Sequence, residues 1–187
     1  LYKKLIPAIE YAKKKGVIDI RMTSNGSKLT KEVSKKIIDA GLTHLSVSLD
    51  AFSKETYLKM RSSKLYEEVK NNLIEFIKYR NDRELKLPTI RVSFLETVEN
   101  VHEKEDFIKF WEKKVDLLSI QSLISYKNTP KNLIKKNSIK KTIKYNCHQP
   151  WTRIVIRSNG DIKPCCTIPG MEFNLQNSKN LGIKKFW

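Results

Sequence analysis

Strand-like and helix-like segments alternate along this chain, and that alternation constrains the fold more than any other feature. Strand patterns centre near residues 20, 47, 93 and 120, in VIDIRMTSNG, THLSVSLDA, TIRVSFLET and VDLLSIQSLIS. Between them the apolar residues recur at helical spacing. Leu1, Leu5, Ile9 and Ala12 mark a first helix, with Gly16 as its C-cap. Thr30 and Ser53 stand where N-caps belong, and Gly41 ends the helix that Thr30 opens. Val69, Leu73, Phe76 and Ile77 form the apolar stripe of a longer helix, and Phe107, Phe110 and Trp111 that of another. Strands joined through helices are parallel, because a two-residue turn cannot return a chain to the same end of a sheet. An α/β fold follows.

The strands carry a second signal. Parallel strands covered by helices on both faces are apolar throughout. Here Ser46, Ser48 and Asp50 alternate with Leu45, Val47 and Leu49, and Arg91 and Ser93 with Ile90, Val92 and Phe94. Arg21 and Thr23 alternate with Ile20 and Met22, and Ser119 and Gln121 with Leu118 and Ile120. One face of the sheet is therefore polar, which suits water or the lumen of a barrel holding a polar ligand. Sites in βα folds lie at the carboxyl ends of the strands. Thr23, Ser24, Asn25, Ser48, Asp50 and Glu96 fall there. On an extended strand Ser48 and Asp50 would point the same way, about 7 Å apart, spaced to meet a ribose diol. Gln121 and Arg91 lie where a substrate could be met.

The 187 residues carry a net charge of +17. Lysine supplies most of it and is spread over nearly every segment, whereas phosphate clamps and base readers favour arginine and aromatic clusters. The charge reads as solvated surface, and nucleic acid is not the expected partner. No apolar run reaches the roughly 18–20 residues of a membrane helix. Three cysteines, an odd number, and no secretory signal point to the cytoplasm rather than to a disulfide-stapled secreted protein.

All three cysteines lie late in the chain. Residues 126–146 are rich in lysine and asparagine and read as a linker between a first domain, 1–125, and a small module, 147–187. In that module Cys147 is followed by an alternating run, an Asn159–Gly160 turn, and then Cys165 and Cys166. Asn-Gly between extended segments signals a hairpin, which would bring Cys147 toward Cys165. Converging thiolates in a reducing compartment suggest an iron–sulfur cluster or, with His148, a zinc site.

The run from Thr23 to Arg61, TSNGSKLTKEVSKKIIDAGLTHLSVSLDAFSKETYLKMR, resembles the middle of a radical S-adenosylmethionine (radical SAM) enzyme. The C-x12-G-x4-C arrangement of Cys147, Gly160 and Cys165 is similar to the opening of that family's SPASM auxiliary-cluster domain. The resemblance implies part of a (β/α)6 TIM-like barrel, roughly its strands 3–6, followed by a SPASM-like hairpin module. It implies S-adenosyl-L-methionine and an auxiliary [4Fe–4S] cluster as cofactors. Thr23, Ser24 and Asn25 would line the cofactor cleft, Ser48 and Asp50 would lie near the ribose, and Arg61 would reach the methionine carboxylate. Cys147 and Cys165, with Cys166 as a further candidate, would hold the auxiliary cluster. Partners would be a peptide or small-molecule substrate and a reductant such as ferredoxin or flavodoxin.

Two departures accompany the resemblance. The family's C-x3-C-x2-C motif, which holds the initiating cluster, does not occur, nor does its G-G-E-P segment. The expectation is an internal fragment of a longer enzyme, catalytically silent by itself, with no catalytic residue assigned. A non-enzymatic metal module and a basic RNA-binding protein are the alternative readings.

Overall fold

Four parallel strands in the order β1-β2-β3-β4 organise the first part of the molecule: β1 (Arg21–Ser24), β2 (His44–Ser48), β3 (Thr89–Glu96) and β4 (Leu117–Ser122). The computed structural model describes residues 3–122, 148–163 and 176–177. The chain divides into two units, Leu1–Ser138 and Ile139–Trp187. Helix α1 (Leu5–Lys14) precedes β1, and α2 (Lys31–Asp39), α3 (Lys54–Arg61), α4 (Tyr66–Asp82) and α5 (Lys104–Trp111) connect the strands of the first unit. It is the α/β arrangement that the alternation predicts.

Local chemistry sets several boundaries. The Thr30 hydroxyl accepts from the Val33 amide at 3.4 Å and the Ser53 hydroxyl from the Thr56 amide at 3.2 Å, so both predicted N-caps are in place. β1 is shorter than its sequence pattern, because residues 17–20 lie outside the ladder. The Thr43 hydroxyl accepts from the Ile20 amide at 2.7 Å, so a side chain replaces the sheet partner there. Ile18 is 92% exposed, so its apolar side chain adds nothing to the core.

The core lies on one side of the sheet. Leu45, Val47, Ile90, Val92 and Phe94 are fully buried, along with Leu29, Ile37, Val69, Leu73, Phe76, Phe107 and Trp111 from the loops and helices. Each such side chain contributes about 1.5–3 kcal/mol on leaving water. Phe94 and Phe107 pack with ring centroids 4.8 Å apart, which joins β3 to α5. An ion pair with a buried arginine closes the amino end of the sheet. Arg80, 6% exposed, binds the Asp116 carboxylate and donates to the Pro88 carbonyl at 3.1 Å. Asp116 in turn accepts from the Ile90 amide at 2.7 Å.

In the second unit a short helix, α6 (Gln149–Thr152), precedes β5 (Val155–Ile156), β6 (Asp161–Lys163) and β7 (Gln176–Asn177), an antiparallel sheet of order β5-β6-β7. The chain turns between β5 and β6 at Asn159–Gly160, where Gly160 has φ +93° and its amide donates to the Arg157 carbonyl at 2.9 Å. Cys147, Cys165, Cys166 and the 126–146 segment lie outside the described residues. Among the described residues no group of three or more His, Cys, Asp or Glu gathers to hold a metal, and no helix is long and apolar enough to cross a membrane.

Candidate functional site

The strand register assembles the polar face. Thr23, Ser46 and Arg91 stand side by side on β1, β2 and β3, and one step toward the carboxyl ends Ser48, Ser93 and Ser119 form a row of hydroxyls. These groups bond to one another: Ser93 Oγ donates to Ser48 Oγ at 3.3 Å, and Arg91 Nη2 to Ser119 Oγ at 2.8 Å. The parallel register, in which residues at equal depth sit beside each other, gathers alternating positions of separate strands into one surface.

At the carboxyl end of β1 the chain turns through Ser24-Asn25-Gly26-Ser27. Ser24 Oγ accepts from the Gly26 amide at 3.0 Å and Asn25 Oδ1 from the Ser27 amide at 3.2 Å. Gly26 has φ +81°, and a Cβ there would stand 2.8 Å from Val69 Cγ1, so only glycine permits both the turn and its seat against α4. A cavity of about 420 Å³ opens here, lined by Thr23, Ser24, Asn25, Ser27 and Lys28 among others. Ser24 itself is in register with Val47, not with the polar row, so its hydroxyl builds the turn while Thr23 shares the polar face.

The Ser48–Asp50 expectation needs correction. β2 ends at Ser48, and Asp50 adopts φ +60°, so strand alternation does not reach it. Its carboxylate is buried: Oδ1 accepts from the Leu95 amide at 2.8 Å, which prolongs the β2–β3 ladder by a side chain, and Oδ2 binds the Arg61 guanidinium. The structure thus brings Asp50 and Arg61 together, with Arg61 still 32% exposed at the end of α3. Burial pushes the Asp50 carboxyl above its ordinary value, against the opposing pull of the Leu95 amide and of Arg61. Glu96 is also turned away from the polar face, to Lys104 Nζ at 3.1 Å.

Two residues with no signal in the sequence hold this end of the sheet. Asn100, fully buried, donates through Nδ2 to the carbonyls of Asp50 and Leu95, each at 2.8 Å, and accepts from the Thr97 amide at 2.8 Å. Glu103 caps α3 from across the fold: its carboxylate accepts from the Phe52 amide at 2.7 Å, the Ser53 amide at 3.2 Å, the Thr56 hydroxyl at 2.7 Å and the Ser53 hydroxyl. An anion at a helix N-terminus is favourable. Burial alone would raise the Glu103 pKa, but the hydrogen bonds from Ser53, Phe52 and Thr56 outweigh it and hold the group below the ordinary glutamate value. Asparagine in a turn and glutamate just before a helix are both ordinary in a sequence, so neither stands out there.

Residues 1–110 match the radical SAM superfamily and residues 147–187 match an iron–sulfur cluster-binding domain, SPASM. An uncharacterised protein of Methanocaldococcus jannaschii is 31% identical over 132 residues, covering 71% of this chain and 43% of the relative. A probable GTP 3′,8-cyclase of the same organism is 30% identical over 127 residues, 68% of this chain and 40% of the relative. A probable GTP 3′,8-cyclase of Saccharolobus islandicus is 32% identical over 117 residues, 63% of this chain and 35% of the relative. The chain therefore spans well under half the length of the curated relatives it matches.

Proposed function

Because this chain belongs to the radical SAM superfamily, we propose that its sheet is part of a (β/α)6 TIM-like barrel whose polar face holds S-adenosyl-L-methionine beside a peptide or small-molecule substrate. In this family the bound cofactor, reduced through a [4Fe–4S] cluster, supplies a 5′-deoxyadenosyl radical that removes a hydrogen atom from the substrate. The observation that carries the reading is the division of a parallel sheet into an apolar, helix-covered face and a face of hydroxyls and a guanidinium, with β1, β2 and β3 inside the stretch matched to the family.

The residues present suit the cofactor. Thr23 and Asn25 border a cavity of about 420 Å³ at one strand end. Ser48 and Ser93 offer hydroxyl oxygens on the neighbouring strands. Arg61, steadied by Asp50, retains donors for a carboxylate. Asp50 acts here through Arg61 and through the β2–β3 ladder rather than by direct contact with the ribose. The residues do not suit the initiating cluster, since the three cysteines are Cys147, Cys165 and Cys166 and no C-x3-C-x2-C occurs among the 187 residues. A polypeptide of this sequence is accordingly proposed to bind the cofactor without cleaving it.

Cys147 and Cys165, with Cys166 as a further candidate, are proposed to hold an auxiliary [4Fe–4S] cluster within the segment matched to the SPASM domain. We propose a ferredoxin or flavodoxin as the reductant of such a cluster. Electron paramagnetic resonance on the anaerobically reconstituted, reduced chain tests the assignment. A cluster signal indifferent to S-adenosylmethionine is expected. A reduced-cluster signal perturbed by S-adenosylmethionine would show that an initiating cluster is present and overturn it.

A further inference from the structure

The strand-and-helix unit holds five arginines, and four are neutralised by aspartate. Arg21 pairs with Asp19, Arg61 with Asp50, Arg80 with Asp116 and Arg83 with Asp39. Arg91 differs. Among the described residues it has no carboxylate partner, and its side-chain bond is to the neutral Ser119 hydroxyl at 2.8 Å. It is half-buried in the middle of the polar face, on a central strand. Carboxylates on or beside these strands are already engaged: Asp50 by Arg61 and Leu95, Glu96 by Lys104, Asp116 by Arg80 and the Ile90 amide, and Asp19 by Arg21 and His44.

A partly desolvated guanidinium with one neutral partner has unused, directional donors and an unbalanced charge. We propose that Arg91 is the anchor for an anionic group, a carboxylate or a phosphate, on the substrate of this face. The inference rests on the reading of the polar face as the reaction chamber and adds the substrate's charge class to it. The Ser119 hydroxyl positions the guanidinium, leaving the remaining donors for a bidentate contact. Ser48 and Ser93, one row toward the carboxyl ends, supply neutral hydrogen bonds beside it. Leu117, in register with Arg91 and 51% exposed, offers an apolar contact on the other side. The favoured substrate thus carries an oxyanion flanked by an apolar portion. The net charge of +17 favours the approach of such an anion.

The test follows the arginine Nε–Hε nuclear magnetic resonance signals of the whole chain during titration with inorganic phosphate and, separately, with acetate, at constant ionic strength. The Arg91 signal is expected to move saturably while Arg21, Arg80 and Arg83, each paired with an aspartate, stay still; Arg61 is left out of the comparison because its remaining donors belong to the cofactor reading. Saturation by phosphate alone or by acetate alone assigns the anion class, and either supports the proposal. Arg91→Gln should weaken the binding by at least about tenfold, as expected for a charge-assisted contact, with Arg91→Lys retaining part of it. No saturable movement in the wild-type chain overturns the proposal, as does movement shared by all five arginines or a binding curve unchanged in Arg91→Gln. A parallel titration with S-adenosylhomocysteine separates this result from the cofactor reading. If the homocysteine compound displaces phosphate from Arg91, the arginine serves the cofactor and the substrate assignment falls. If it binds equally to wild type and Arg91→Gln, the cofactor reading stands and the substrate assignment is supported. If it does not bind but phosphate does, the anion site is supported and the reaction-chamber reading fails.

Discussion

The Asn100 side-chain amide donates a 2.8 Å hydrogen bond to the backbone carbonyl of Asp50, half a hundred residues away in sequence. The same nitrogen holds the Leu95 carbonyl at 2.8 Å, so one buried side chain ties the ends of two neighbouring strands. That tie supports the left-handed Asp50 backbone, φ +60°, from which the carboxylate reaches Arg61.

Asn100→Ala should therefore be costly. It strands the Asp50 and Leu95 carbonyls and the Thr97 amide in a site with no exposure of residue 100. A loss of about 2–4 kcal/mol is expected, several unsatisfied buried groups together. Urea denaturation measures it, and a loss below about 0.5 kcal/mol, the range of ordinary surface substitutions, would show that the tie is dispensable.

Glu103 should make stability sensitive to acid. Its carboxyl lies below the ordinary glutamate value of 4.5 in the fold, so the charged form is the one the fold binds. The contribution is complete above that value and is lost as pH falls through the lower folded value. Glu103→Gln is expected to cost about 1.5–3 kcal/mol at neutral pH, the scale of hydrogen bonds to a charged group. The gap between wild type and variant should narrow in acid, and thermal melts across pH give the comparison. A constant gap would mean that charge is irrelevant to this cap.

Tyr66 should act at the other end of the pH scale. Its hydroxyl donates to the Phe52 carbonyl, and burial, with Glu67 and Glu103 nearby, pushes its pKa up to about 12. A raised phenol pKa stabilises the fold below the ordinary value of 10, and that contribution disappears as pH rises from 10 toward 12. Ultraviolet titration should find Tyr66 ionising latest, with Tyr57, whose phenol burial also raises, late as well, and Tyr66→Phe should abolish the latest step. A normal titration of all seven tyrosines would contradict the hydrogen-bonded phenol.

The Arg80–Asp116 pair should respond unequally to truncation. The Arg80 side chain is 7% exposed and that of Asp116 38% exposed. Asp116→Ala leaves a buried guanidinium with the Pro88 carbonyl and the Asn81 side chain as partners, whereas Arg80→Ala leaves a carboxylate that water can reach. The aspartate substitution should be the worse, at about 3 kcal/mol or more, the scale of an uncompensated buried charge. Denaturant midpoints of the two variants settle the order, and the reverse order would refute it.

The cysteines are tested by metal content. After anaerobic reconstitution the chain should hold iron and acid-labile sulfide, and Cys147→Ala or Cys165→Ala should lose most of both, with Cys166→Ala affected least. One zinc and no sulfide would replace the cluster assignment by a tetrahedral zinc site.

Much of the architecture was legible from periodicity. The helical stripe through Val69, Leu73 and Phe76 is the buried face of α4, and the alternation of Ile90, Arg91, Val92 and Ser93 separates the two faces of β3. Thr30 and Ser53 cap the helices they precede. The site was legible only in part. Ser48 faces the polar row as alternation requires, but Asp50 does not, because the strand ends before it and the backbone turns.

What the sequence determined by itself is whatever depends on neighbours within one or two turns: strand and helix periods, caps, and the existence of a polar face. Tertiary structure alone decided which charges are neutralised. Asp50 found Arg61 eleven residues on, Glu103 capped a helix 50 residues back, and Arg91, among the described residues, met a hydroxyl rather than a carboxylate. A side chain's period can be read from the residues beside it, whereas its partner depends on which distant atoms packing brings within hydrogen-bond reach.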